Sequence, residues 1–108
     1  MEFLKRLQNW FSRAGRDENL MSKAMTLANE KQPEEAIKLY TELMRSTTAS
    51  SETKARALFN RALAHSSRKD DTQAVADLKQ LTAMTDIPEN VRNAARTQLV
   101  RIQNRSVA

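Results

Sequence analysis

Apolar residues along this chain recur at intervals of three and four rather than two, the period of helices packed on one face. Over residues 3 to 12, Phe3, Leu4, Leu7, Trp10 and Phe11 fall within about 120° of arc on a helical wheel, with Lys5, Arg6, Asn9 and Arg13 elsewhere. Further on, Leu20, Ala24 and Leu27 form an inward stripe, and Met21 and Met25 add a second apolar edge one residue along. The same spacing predicts helices over about 18–31, 33–46, 52–68, 71–84 and 88–104. Punctuation agrees with these bounds. Pro33 and Pro88 suit first turns, and Asp70/Gln73 and Asp86/Glu89 have capping-box spacing. "STTASSET" (46–53) reads as a polar loop, and "SRAGRDEN" (12–19), with the sole Gly, as a hinge or helix C-cap.

The two central hairpins are copies. With a shift of 38, Leu20 meets Leu58, Ala24 meets Ala62, Lys31 meets Lys69, Ala36 meets Ala74 and Leu43 meets Leu81. Similar residues fill in around them, Met21 with Phe59, Met25 with Leu63 and Ile37 with Val75. This pattern resembles the tetratricopeptide repeat family, whose roughly 34-residue unit is an antiparallel helix pair with small residues at the crossing. Ala24 and Ala62 match the small position of the first helix, Ala36 and Ala74 that of the second, and Tyr40 keeps the second helix's aromatic. Departures are Ala where the first small residue is usually Gly, Leu43 and Leu81 where Ala is typical, and extra residues in the Ser/Thr loop.

The expected fold is all-α: antiparallel hairpins stacked as a short superhelix, preceded by an amphipathic N-terminal helix. Residues 1–16 form that helix and its hinge, 17–104 the repeat domain, and 105–108 a tail. Within the domain, repeats cover about 17–46 and 52–85, and a capping helix about 88–104 presents Val91, Ala95, Leu99 and Ile102 inward.

The resemblance implies a non-enzymatic protein-interaction module that holds a peptide or helix in a concave groove. Carried over by position, the groove residues are Met21, Met25, Asn29, Arg56, Phe59, Asn60, Leu63 and Ser66. Some family members clamp a carboxylate with Lys, Asn and Arg. Asn60-Arg61 matches the clamp's middle helix, but Met21 and Met25 stand where its first-helix donors belong, and Arg92 and Arg96 are anion contacts out of register. An apolar groove and an apolar N-terminal stripe suggest each other. The stripe's expected partners are the chain's own groove, reached by folding at Gly15, or a second copy. An anionic membrane surface is the rival, since a basic aromatic helix also suits headgroups.

Composition narrows the classes. The chain has 108 residues, one Gly, two Pro and no Cys, so no disulfide or thiolate metal site can form. One His and no Gly-rich turn leave catalysis, metal and cofactor binding without residues to carry them. His65 aligns with inward Leu27 and reads as structural, and Asp70 and Asp71 as a helix start rather than a catalytic pair. The net charge of +5 admits nucleic acid, but Arg92 and Arg96 point away from Arg101 and Arg105, so no basic stripe forms. Without a signal peptide or apolar span, the expectation is a cytoplasmic protein, or one peripheral to a membrane.

Overall fold

A computed structural model describes the backbone of residues 2–107 and the side chains of residues 15–105. Five helices follow in order: α1 (Glu2–Asn29), α2 (Pro33–Arg45), α3 (Ser51–Ser67), α4 (Asp71–Thr82) and α5 (Glu89–Val107). Each packs on the next, and α3 also touches α1 and α5, so the first helices of the hairpins and the last helix line one side of the stack. The described residues contain no strand. The all-α repeat architecture expected from the sequence is the one observed.

Both hairpins cross at fully buried alanines, Ala24 with Ala36 and Ala62 with Ala74. The small side chains let the helices approach closely, and larger residues close around them. Met21, Tyr40, Leu43 and Ala57 complete one core cluster, and Ala55, Leu58, Leu78, Leu81, Ile87, Ala95 and Ile102 the other. Met44 packs against both, which joins the two hairpins into one core. α3 lies between the hairpins and is buried on two sides, Ala57 toward the first and Leu58 toward the second. α5 packs on the second hairpin with the inward face expected of it, Ala95 and Ile102 buried and Val91 and Leu99 packed beside them.

The two hairpin turns repeat as well. α1 and α3 end on a lysine in the left-handed region, Lys31 at φ 60° and Lys69 at φ 62°. Gln32 N donates to Leu27 O and Asp70 N to His65 O, each at 2.9 Å, the six-to-one bond that closes a helix before a reversal. Asp70 then caps α4, its side chain accepting from Gln73 N at 3.3 Å. The other capping signal works differently: α5 starts at Glu89 and the Pro88 carbonyl accepts from Val91 and Arg92.

Two sequence expectations need correction. The hinge at 12–19 is absent, because α1 runs unbroken through Gly15. A helix-interior Gly costs only about 1 kcal/mol relative to Ala, too little to end a helix with helix-forming residues on both sides. Asp17, inside the supposed hinge, is 6% exposed and accepts a hydrogen bond from Thr48 Oγ1 in the α2–α3 loop. Ser46 Oγ shapes that loop by accepting from the amides of Thr48 and Ala49, each at 3.2 Å. A Cβ added at Gly15 meets nothing within 4 Å. Gly15→Ala is therefore expected to stabilise the protein by about 0.5–1 kcal/mol in urea denaturation. Lost stability would count against the continuous helix.

The second correction concerns phase. Met21 is 6% exposed and belongs to the first core, whereas Leu20 is only partly buried. Leu58, the counterpart of Leu20, is fully buried in the second core. Among the described residues of α1 the buried positions are Asp17, Met21 and Ala24, while Leu20 borders the cleft formed with the end of α2 and the loop after it.

Candidate functional site

The side lined by α1, α3 and α5 carries two adjoining depressions that share Met25 and Asn60. One, of about 240 Å3, is lined by Met25, Ala28, Asn29, Pro33, Tyr40, Asn60, Leu63, Ala64 and Ser67. The other, of about 290 Å3, is lined by Met25, Arg56, Phe59, Asn60, Asn90, Val91 and Ala94. Neither reaches the roughly 300–1,000 Å3 typical of an enclosing small-molecule pocket. They form a shallow apolar trough with amides along it, a shape suited to side chains projecting from another segment.

Packing dictates why the trough is apolar. Ala24 and Ala62 are spent at the crossings, so the residues one step round each helix, Met25 and Leu63, stand beside the core without being enclosed. They are 39% and 38% exposed, and with Val100 they are the exposed large hydrophobics among the described residues. Phe59 and Val91 are half-buried against the second core, extending the apolar floor toward α5.

Of the residues expected to line a groove, the structure brings Met25, Asn29, Arg56, Phe59, Asn60 and Leu63 around these depressions. Met21 is core and does not face the trough. Ser66 lies off both depressions and accepts from Arg105 Nη2 at 3.0 Å. α5 contributes Asn90, Val91 and Ala94, which were not among the expected groove residues; that helix was expected to turn Val91 inward and to offer Arg92 and Arg96 as anion contacts.

The two expected anion contacts differ in placement. Arg92 donates to Glu89 Oε1 and to the Met84 carbonyl, and its side chain is 16% exposed, so it staples α5 to the preceding loop. Arg96 is exposed and donates to Asn93 Oδ1 at 3.3 Å. Arg61, which matched the carboxylate clamp, turns inward. Its Nε and Nη2 grip Asp77 Oδ2 and Oδ1 at 2.8 and 2.7 Å, and Nη1 donates to Thr41 Oγ1 at 3.1 Å. The signal was available, since Asp77 interrupts the apolar stripe of Ala74, Leu78 and Leu81. The side chains of Phe3, Leu4, Leu7, Trp10 and Phe11 lie outside the described residues.

His65 is part of this inner network. Its Nε2 is 3.8 Å from Asp77 Oδ2, and its buried Nδ1 has no partner among the described residues. Desolvation lowers its pKa below 6.5, against the opposing pull of Asp77. The unfolded chain therefore takes up the proton first on acidification, and stability falls as pH drops through about 6.5, levelling off below the folded pKa. Urea midpoints between about pH 7.5 and 5.5 should decline for the native protein and flatten in His65→Gln.

A cleft of about 430 Å3 opens at the far end of the first hairpin, lined by Arg16, Asp17, Leu20, Glu42, Arg45, Ser46, Thr47 and Thr48. Both signs of charge line it, and Asp17 and Thr48 already satisfy each other. Among the described residues, no group of three or more His, Cys, Asp or Glu is placed to hold a metal ion, and no helix is long and apolar enough to cross a membrane.

Duplicated helix pairs crossing at alanines, their first helices lining a common trough, define a tetratricopeptide repeat protein, a class of protein–protein interaction modules. Residues 7–102 match the family model described as the SusR N-terminal TPR domain, and the chain belongs to that family. No curated protein and no solved structure matches it.

Proposed function

We propose that this chain is a non-enzymatic adaptor whose α1–α3–α5 trough binds an apolar helical segment. The supporting observation is the pair Met25 and Leu63. Two large side chains on different helices line the same depression, and each leaves more than a third of its surface to water. Exposed apolar surface flanked by amides marks an interaction face, and a helix offering anchors at i, i+3, i+4 and i+7 matches a trough built across parallel helices. Asn29, Asn60 and Asn90 supply polar groups along it.

The test is NMR titration with an amphipathic helical peptide carrying Leu and Phe at those spacings. Shifts concentrated at Met25, Phe59, Leu63 and Val91, and lost in Leu63→Asp with the far-UV spectrum unchanged, are the expected result. Shifts centred on the Arg16–Thr48 cleft, or none at all, would refute the trough as the site. The rival reading, a peripheral membrane scaffold, draws on the basic, aromatic pattern of residues 3–13. Its test is flotation with anionic vesicles.

A further inference from the structure

We infer that the trough of one chain is filled by the N-terminal half of α1 from a second copy, in a reciprocal two-fold dimer. The inference rests on the trough being a helix-binding site, and adds the identity of the occupant.

Lengths come first. α1 has 28 residues and its hairpin partner α2 only 13. Arg45, at the end of α2, lines the same cleft as Arg16 and Asp17. α2 thus covers α1 no further back than Asp17. Residues 2–16 run on beyond their own hairpin, for about 22 Å at 1.5 Å per residue. The overall extents, 61 × 30 × 18 Å, are those of an elongated body.

Phase comes second. Eighteen residues make five complete turns of an α-helix, so positions eighteen apart share a face. Leu7 stands in phase with Met25, and Phe11 with Asn29. By sequence spacing, then, the apolar stripe of the overhang continues the side of α1 that borders the trough. No fold-back is available, because α1 is unbroken at Gly15. The stripe cannot reach the trough of its own chain.

A second copy resolves both conditions at once. When two α1 helices run antiparallel, the overhang of each passes over the other's Met25 and Leu63. The contact is isologous: one patch serves both chains, and the pair closes without a free trough or a free stripe. Burying two such stripes has to outweigh the repulsion of two chains each carrying +5, so added salt favours the dimer.

The experiment is sedimentation of the full-length chain from low to high micromolar concentration. The expected result is a dimer that persists at high salt, and that becomes monomeric in Leu7→Asp and in Leu63→Asp. A mixture of the two variants regains a heterodimer, since one carries an intact trough and the other an intact stripe. Met25→Lys serves as a second trough variant should Leu63→Asp alter the circular dichroism. A native chain that stays monomeric overturns the inference; if its trough still binds the probe peptide, the functional reading survives alone. A dimer indifferent to Leu63→Asp and Met25→Lys overturns the trough as its seat. A monomer that floats with anionic vesicles through residues 3–11 assigns the stripe to membrane and overturns it too.

Discussion

Asp77→Ala is expected to destabilise the protein by about 3–5 kcal/mol, because it strands a guanidinium among packed helices. The Asp77 side chain is 5% exposed and that of Arg61 17%, and both donors of the fork are engaged. No water can replace the lost carboxylate cheaply at that depth. Arg61 also reaches Thr41 on α2, so the loss loosens the joint between hairpins as well as the second hairpin itself. Replacing the pair together, Arg61→Met with Asp77→Leu, should recover most of the loss, since apolar side chains of similar volume avoid the desolvation that the ion pair bears. Urea denaturation of Arg61→Met, of Asp77→Leu and of the two combined completes the cycle. A near-additive double variant would mean that the pair is not coupled in the folded state.

Leu43→Ala and Leu81→Ala form the second experiment, with each expected to cost about 2–5 kcal/mol. These are equivalent positions of the two repeats and both are fully buried. They lie in different clusters, so independent hairpins would melt in two steps, each sensitive to only one substitution. Met44 and the Arg61–Thr41 bond tie the clusters together. A single transition, shifted by either change, is therefore expected from circular dichroism and amide exchange alike. The two losses together approach the roughly 5–15 kcal/mol that holds a typical domain folded, so the double variant should be largely unfolded. Separate transitions for residues before and after Ser50 would show that the hairpins fold alone.

Much of this architecture is legible from residue types. Periodicity and capping residues placed the hairpin helices to within a residue or two, except for the start of α1, which was expected near 18 and lies at Glu2, and the 38-residue shift aligned the buried alanines. What escaped depended on neighbours. Gly15 looked like a break because its own propensity is poor, but its flanks carry the helix through and Thr48 anchors Asp17 from a distant loop. Met21 is core and Leu20 only partly buried because α2 and the α2–α3 loop decide which edge of α1 is covered, and no local window contains those partners. Arg61 matched a clamp for a ligand carboxylate, but the carboxylate it holds is Asp77, one helix away in its own hairpin. For the trough, the family resemblance pointed to Met25, Phe59 and Leu63 and helical spacing agreed, yet the contribution of α5 needed that helix to be set beside α3.

The twin left-handed lysines show that the unit of duplication includes its own reversal. Everything needed to stop one helix, turn, and launch its antiparallel mate is written within 38 residues, since Lys69 stands 38 positions after Lys31. Such a cassette is portable. Splicing a further copy ahead of α5 should lengthen the rod by one hairpin and its trough by one helix, with the terminal helix simply riding outward to seal the new end.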